Sequence, residues 1–513
     1  MTKKLIYGIA WIVFAIAVLA PCVTIIIEAF TADGRFSLVH LSTVLADARE
    51  WTLLANTLYL ASASAAFSFI LGVPAGFLIS RSDVPFRGFF RSIIIVPLFM
   101  PPLVHAIAWT GMTGLRGGFA ASLTFGIAYF PIVALLAARA FERVDRRFEE
   151  AAALAGGALT KLKISIRLAL PPCLAGALCT FIFASSDFSV TDYYSSVGPK
   201  FNVFADEVFA RWQREGSSGS AVAAALVPVV IDIICMWLIF RLKRKSHIGI
   251  VTSGFVAPGV WKLGNLRYLS FAFLAAVTLV SCVIPVGYFI YTAGSLQVFR
   301  EALAQARGEI TQTFIVSIMM AAAGAVLAIV LAHSALRSKR NVAPAVEWLT
   351  LLPFAIPAIA LAIAIIRVWN HGGLAGFIYE SPVVVGIAFL ARYFVFAYQS
   401  AAAGVAAIDP NLEHAAQLSG ASFGAIITKI TAPLALPAAA AAFLLLYVFG
   451  MRELDTIVLI PAGNQSAMFR IYNAIHFNRP QFVAALCIIL LFMTAFPLIV
   501  YQIFARKRAG VLI

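Results

Sequence analysis

Apolar stretches of about 20 residues recur along this chain of 513 residues. A stretch of that length is long enough to cross the hydrocarbon core of a bilayer as a helix. The chain is 62% hydrophobic and 12% charged, with a mean hydropathy of +0.94, which is too apolar for a soluble protein. We therefore predict an all-α polytopic membrane protein.

Counting these stretches gives about twelve predicted spans, six in each half of the chain. Their boundaries are 5–30, 52–80, 89–113, 118–141, 168–190 and 220–241, then 266–293, 311–336, 345–369, 381–401, 433–460 and 482–505. The first is predicted to be an uncleaved helix, because it is too long for the apolar region of a signal peptide. A basic and then Gly/Ser/Pro-bearing segment, 243–265, is predicted to be a cytoplasmic linker between domains 1–242 and 266–513.

The two halves repeat each other in sequence. At an offset of 256 the matches are Thr57/Thr313, Arg81-Ser82/Arg337-Ser338, Pro97/Pro353 and Pro101/Pro357. Because each half holds an even number of spans, both have the same orientation. This indicates parallel repeats related by a pseudo-twofold axis along the membrane normal.

A polar, small-residue stretch occurs once in each half, between long apolar segments. The first, 145–166, reads DRRFEEAAALAGGALTKLKISI, and the second, 409–430, reads DPNLEHAAQLSGASFGAIITKI. They align without a gap at an offset of 264; we call them the first and second elbow. A Gly that ends a short helix permits a sharp turn, so a repeated polar elbow predicts a docking surface used twice.

The first elbow resembles the EAA loop of the membrane subunits of binding-protein-dependent ABC importers. The matching residues are Glu150, Ala151, Ala152 and Gly156. In the second elbow the corresponding set is Glu413, His414, Ala415, Ala416 and Gly420, with His414 at the place of the family's Glu. The resemblance implies that two copies of a separate ABC ATPase dock on these residues.

The same resemblance implies the setting and the cargo. It places the chain in a bacterial inner membrane, with a type I importer permease fold and a periplasmic substrate-binding protein as a further partner. The stretch RELDTIVLIPAG is most similar to ferric-iron permeases. Thiamine, polyamine and aminoethylphosphonate permeases are the alternatives within this class, and a secondary transporter of the major-facilitator kind is the alternative outside it.

The chain itself lacks motifs for chemistry. It contains no G-x-x-x-x-G-K-[ST] segment, so ATP is expected on the partner subunit, and no cofactor, catalytic group or metal site is expected here. The six cysteines form no CxxC pair. The net charge of +15 comes from short basic clusters between spans, which argues against nucleic-acid binding and favours cytoplasmic loops, with both termini inside.

Charged residues inside predicted spans are costly and tend to be functional. The pathway candidates are Asp187, Arg452, Glu453 and Asp455. For Glu453 the alternative is a structural ion pair with Arg452 or with Arg392 across the bundle. Asp232 is better explained by a polar seam between helices.

Several prolines fall inside predicted spans at matching places in both halves: Pro97, Pro101, Pro102, Pro353 and Pro357. A proline removes one backbone hydrogen bond and kinks a helix. The kinks are either hinges for alternating access or bends required by packing.

Overall fold

The structure is a computed structural model that describes residues 3–32, 34–215, 218–247, 255–338 and 342–509. It is built from helices. In the first half these are α1 Lys3–Ala29, α2 Val39–Ala46, α3 Ala48–Arg81, α4 Arg87–Ile93, α5 Pro102–Thr113, α6 Gly117–Glu142, α7 Arg146–Ser186, α8 Ser189–Val197, α9 Phe204–Glu215 and α10 Ser218–His247. A short antiparallel strand pair, β1 Thr31–Ala32 and β2 Arg35–Phe36, follows α1, with Thr31 opposite Phe36.

The second half is equally helical. Its helices are α11 Leu266–Ala293, α12 Leu296–Gln305, α13 Arg307–Leu336, α14 Ala343–Ala355, α15 Ala358–Trp369, α16 Leu374–Glu380, α17 Val383–Ala406, α18 Pro410–Leu418, α19 Phe423–Met451, α20 Ala467–His476 and α21 Pro480–Ala509. A π-helical turn at Ile427–Thr431 lies within α19. The predicted all-α membrane class is confirmed.

Among the described residues, ten helices are long and apolar enough to cross a membrane. The number rises to twelve if each of two bent helix pairs counts as one span. The bent pairs are Arg87–Phe99 with Pro102–Thr113 and Ala343–Ala355 with Ala358–Trp369. They correspond to the predicted spans 89–113 and 345–369, so the sequence located all the apolar segments.

Both bent pairs break at the repeated prolines. The angle between the two helices is 94° in the first pair and 103° in the second. Pro101 has φ −55° and ψ 145°, and Pro357 has φ −52° and ψ 139°, which are extended conformations that end one helix and begin the next. The sequence predicted kinks at these positions, and the structure shows full breaks.

Two predicted spans end earlier than expected. The span 168–190 stops at Ser186 and the span 433–460 stops at Met451. In both cases the next residues leave the helix although the sequence stays largely apolar. In each case an acidic side chain caps the segment that begins after the break, as described with the site below.

The chain divides into two compact units that do not coincide with its two halves. Unit 1 comprises 1–46, 207–226 and 292–513, and unit 2 comprises 47–206 and 227–291. The predicted domains 1–242 and 266–513 are the two copies of the sequence repeat, whereas the two units are the groups of helices that pack together. Residues 248–254 of the predicted linker 243–265 lie outside the described residues.

Each unit is built on the same three-helix arrangement. In unit 2, α3, α6 and α7 pack together, and in unit 1 their repeat counterparts α13, α17 and α19 do so. The α3–α6 contact is close because Gly72 faces Val133 and Gly76 faces Ala134, where a Cβ would meet atoms at 2.5–2.8 Å. Small residues thus allow two helix backbones to approach.

The first helix of each half packs with the other half. In unit 1, α1 lies against α13, α15 and α17. In unit 2, α11 lies against α3, α4 and α6. The bundle of each unit is therefore completed by a helix from the other repeat.

Candidate functional site

The two elbows have the same backbone construction. Asp145 and Asp409 each cap a helix, because their side chains accept a backbone N–H two residues later at 2.9 Å. Each elbow helix then ends at a glycine with positive φ, Gly157 at +74° in the first and Gly420 at +81° in the second. The chain next turns into the long helical segment that follows, the remainder of α7 or α19.

The turning glycine of the first elbow is Gly157, one residue after the Gly156 that matches the EAA pattern. Gly156 has φ −162°, which any residue can adopt. Gly157 combines φ +74° with ψ −162°, a region that is essentially restricted to glycine. Among the described residues, nothing lies within 4 Å of a Cβ built on Gly157 or Gly420, so these glycines serve the turn and not a close contact within the described chain.

The elbows expose large apolar side chains at matching positions. Leu154 is 91% exposed and Leu418 is 90% exposed, and Phe148 and Leu412 are exposed by about half. Glu150, Ala151, Gly156, His414, Ala415 and Gly420 are exposed as well, whereas Ala152 is buried and Glu413 and Ala416 are partly buried. Exposed apolar residues grouped on a polar segment are typical of a protein-binding surface.

Beneath the first elbow lies a buried ion pair that the sequence analysis missed. Nη2 of Arg81 donates to both carboxylate oxygens of Glu149, at 2.9 and 2.8 Å, and both side chains are at most 2% exposed. Ser165 donates to the same carboxylate at 2.6 Å. The Arg81 guanidinium also donates to the carbonyl oxygen of Phe141 at 2.8 Å, so this pair ties the elbow helix to α3 and α6.

The second elbow carries the equivalent pair. Arg337 donates to Glu413 at 3.2 and 3.3 Å and to the carbonyl oxygen of Ile408 at 2.9 Å. Thr431 lies in the place of the hydroxyl donor, at 3.3 Å from the carboxylate. Partial burial raises the pKa of Glu413, but the hydrogen bond from Arg337, together with the charges of His333 and Arg337, outweighs it and holds that pKa below its usual range.

The repeat alignment already contained the signal for this pair. Arg81 matches Arg337 at an offset of 256, and Glu149 matches Glu413 at an offset of 264. The structural counterpart of Glu413 is therefore Glu149, whereas Glu150 is 56% exposed and pairs with Arg146 of its own helix. His414, at the place of the family's Glu, is likewise exposed.

Different segments of the chain contact the residues beneath each elbow. At the second, Tyr7 lies 2.7 Å from Nδ1 of His333, and Nε2 of His333 lies 3.2 Å from Glu413. At the first, the described end of the linker takes this place: the backbone N–H of Trp261 donates to the carbonyl oxygen of Arg81 at 2.7 Å, and Lys161 lies over the Trp261 ring. The N-terminal helix and the linker thus have analogous positions.

At the other end of these helices, the candidate acids cap a break in each repeat. The carboxylate of Asp187 accepts the backbone N–H of Val190 at 2.9 Å, and that of Glu453 accepts the backbone N–H of Thr456 at 2.8 Å. Both acids are buried, as are Arg452 and Asp455. The two carboxylates therefore occupy corresponding places, each capping the start of the segment that follows the end of α7 at Ser186 or of α19 at Met451.

Asp232 has the structural role that the sequence favoured. It is fully buried in α10, and both of its carboxylate oxygens lie 2.9 Å from the hydroxyl of Ser185 in α7. A buried carboxylate with a hydroxyl donor on a neighbouring helix forms a polar seam. Among the described residues, no three His, Cys, Asp or Glu side chains are grouped so as to hold a metal ion.

Asp206, near the start of α9, is a further acid that the sequence analysis did not single out. It accepts the Val203 backbone N–H at 2.9 Å and the Thr191 hydroxyl at 2.8 Å. Burial raises the pKa of Asp206 to about 8, although those hydrogen bonds lower it. Its neutral form is therefore well populated near pH 7.

Comparison with known proteins identifies the class. The chain matches the family described as "Binding-protein-dependent transport system inner membrane component" over residues 68–248 and 324–509. It is 24% identical over 478 residues to the Fe(3+)-transport system permease protein FbpB 2 of Haemophilus influenzae, covering 89% of this chain and 90% of that protein. It is also 24% identical to the ferric transport system permease protein FbpB of Actinobacillus pleuropneumoniae, covering 89% of this chain and 71% of that protein.

A second group of relatives matches part of the chain. The molybdate/tungstate transport system permease protein WtpB of Thermococcus kodakarensis is 28% identical over 196 residues, covering 36% of this chain and 77% of that protein. Each of the two family matches in this chain includes one elbow with the glutamate that pairs with its arginine. The chain therefore belongs to the binding-protein-dependent transport system inner membrane components, the permeases of ABC importers, and carries the family domain twice.

Proposed function

We propose that two copies of a separate ATPase dock on the two elbows, so that this chain couples ATP hydrolysis on its partners to transport through its own helices. The exposed pair Leu154 and Leu418 carries the proposal, because each leucine lies at the tip of an elbow that an Arg–Glu pair, buried in the first and partly buried in the second, fixes to the bundle. A fixed elbow moves with the bundle, so a force applied at its tip reaches the transmembrane helices.

The orientation and the other partner follow from the same proposal. Both elbows are cytoplasmic, in agreement with the distribution of lysine and arginine, and both termini lie on that side. A periplasmic substrate-binding protein delivers cargo on the opposite side of the bacterial inner membrane. Because the chain belongs to this family, the alternative that it is a major-facilitator transporter is wrong.

We propose ferric iron, free or as a complex, as the cargo. The support is similarity along nearly the whole fused chain to the two ferric transport permeases, whereas the molybdate/tungstate permease matches about a third of it. Thiamine, polyamine and aminoethylphosphonate remain the alternatives that the sequence suggested. Uptake of radioactive iron by cells with and without the intact gene tests this assignment directly.

The docking proposal is tested with charged substitutions at the exposed leucines. We expect Leu154→Asp and Leu418→Asp to prevent co-purification of the cognate ATPase and to abolish uptake, because each places a charge in an apolar contact. Ala155→Asp and Gln417→Asp, which add the same charge at exposed neighbouring positions, are the controls. Retention of ATPase binding and uptake by the double leucine variant would contradict the proposal.

A further inference from the structure

An arginine in a membrane-spanning helix of unit 1 has donors without acceptors. Arg392 lies within α17 and is 4% exposed. Within the described part of the chain, its Nε and Nη1 atoms have no hydrogen-bond acceptor. Its nearest acidic contact is Oε2 of Glu453, at 3.9 Å from Nε, which is an ion pair beyond hydrogen-bonding distance.

Glu453 does not accept a hydrogen bond from Nε of Arg392, because its carboxylate accepts hydrogen bonds from other donors. It accepts the Tyr393 hydroxyl, and its Oε1 accepts both the backbone N–H and the hydroxyl of Thr456 at 2.8 Å. The bonds from Thr456 cap the turn that follows α19. The carboxylate is therefore fixed by the backbone, while the guanidinium keeps unused donors.

The first repeat has the same aromatic stack and the same carboxylate cap as the second, but it forms them without the arginines. Tyr129 stacks on Phe183 at 4.6 Å, as Tyr393 stacks on Phe449 at 4.9 Å, both at an interplanar angle of 15°. Asp187 caps the break there as Glu453 does here. By these matches, the positions of Arg392 and Arg452 are occupied in the first repeat by Ala128 and Ser186.

The second repeat thus adds two guanidinium groups to a framework that the first repeat forms with small, uncharged residues. Burying a charged donor without an acceptor is unfavourable, so Arg392, whose Nε and Nη1 have no acceptor among the described residues, points to a ligand that supplies one. Guanidinium N–H groups match the spacing of oxygen atoms in carboxylates and tetrahedral oxyanions. Bare metal cations are a poor match, because the free groups are donors.

We propose that Arg392, with the charge of Arg452 beside Glu453, binds a small tetrahedral oxyanion on the transport path. The inference rests on the proposed transport function: an oxyanion bound to a ferric ion would specify the proposed ferric cargo, whereas a free oxyanion would replace it. Glu453 and Asp455 balance the charges of Arg392 and Arg452, so the site carries no net positive charge and binding is weak enough for release. The carboxylates then act as caps and counter-charges, and the arginine acts as the cargo contact.

Equilibrium dialysis of the full chain in lipid nanodiscs tests the site without any ATPase. The probes are labelled molybdate alone, labelled inorganic phosphate alone, and labelled phosphate with an equimolar ferric salt. We expect at least one probe to bind the wild type and to bind Arg392→Gln about ten- to a hundredfold more weakly. Binding without iron indicates a free oxyanion, and binding only with iron indicates an iron-borne one.

Two variants separate this role from simple bracing. The double variant Arg392→Gln/Glu453→Gln removes both charges and keeps an acceptor for Thr456. If Arg392 only balances the charge of Glu453, the double variant should bind the probe as the wild type does. If Arg392 contacts the anion, the double variant should bind as weakly as Arg392→Gln. Arg300→Gln in α12, at an exposed arginine of the same unit, should bind as the wild type does. The inference is overturned if no probe binds the wild type or if Arg392→Gln or the double variant binds normally.

This experiment is independent of the docking test. Loss of ATPase binding in the leucine variants would leave the dialysis result unchanged, because no ATPase is present. Conversely, failure of every probe to bind would leave the elbow proposal intact.

Discussion

At the scale of single residues, adjacent glutamates in the first elbow have different environments. Glu149 is 1% exposed and receives hydrogen bonds from Arg81 and Ser165, whereas Glu150 is 56% exposed and pairs with Arg146. The difference follows from helix geometry, because residues one apart point about 100° away from each other. The buried member holds the elbow, and the exposed member is available to a partner.

We predict that Glu149→Gln destabilises the protein by about 3 kcal/mol, because it leaves the Arg81 charge buried and unpaired. Glu150→Gln, at an exposed pair, should change stability by less than about 1 kcal/mol. Thermal unfolding in nanodiscs measures both. Equal destabilisation by the two substitutions would rule out the assigned difference, and Arg81→Met with Glu149→Met tests whether apolar replacement of the whole pair recovers stability.

At the scale of elements, each elbow depends on a glycine conformation that side chains disfavour. Gly157 and Gly420 have φ of +74° and +81°, and no residue in the described part of the chain lies within 4 Å of a Cβ built on either. Their role is to turn the chain between the exposed elbow helix and the long helical segment that follows. Gly156 has an ordinary extended φ, although it matches the EAA pattern.

We predict that Gly157→Ala weakens uptake more than Gly156→Ala does. The strain at Gly157 is of order 1–3 kcal/mol, enough to shift the elbow from its docked geometry. At Gly156 the added Cβ meets the Thr160 side chain, which can rotate away. Uptake normalised to expression, with ATPase co-purification, measures the effect. A more severe defect in Gly156→Ala would show that close approach of a partner, and not the turn, sets the requirement.

At the scale of the whole molecule, the repeats are joined by exchange of their first helices. Phe14 of α1 is fully buried and lies 5.4 Å from the ring of Phe394 in α17. Tyr7 of the same helix contacts His333, which contacts Glu413 beneath the second elbow. The N-terminal helix therefore completes the unit formed mainly by the second half.

We predict that fragment 255–513 expressed alone is unstable in the membrane and that co-expressed fragment 1–46 partly restores it, because α1 fills an apolar face of that unit while residues 207–226 remain absent. Phe14→Ala in the short fragment should abolish most of the rescue, since losing a buried phenylalanine costs about 3–5 kcal/mol. Ile12→Ala, at a 59% exposed position of the same helix, is the control. Full recovery of 255–513 without 1–46 would refute the role of the exchange.

The sequence by itself determined the membrane class, the location of every apolar segment, the duplication and the two elbows. These features depend on local composition and on comparison of the chain with itself, and both can be read without knowing any contact. The same alignment held the pairs Arg81/Arg337 and Glu149/Glu413, but it could not show that arginine and glutamate meet, because 68 residues separate Arg81 from Glu149.

Only the tertiary structure decided which helices form a unit, how sharply the proline pairs break and which charges are satisfied. The hydropathy of a segment shows that it can cross a membrane but does not specify its neighbours, and only the structure shows that α1 packs with helices of the second repeat. Whether a buried charge has a partner depends on distances of a few tenths of an ångström. For this reason Glu453 and Arg392, alike in sequence as intramembrane charges, differ in the structure as a satisfied cap and an open donor.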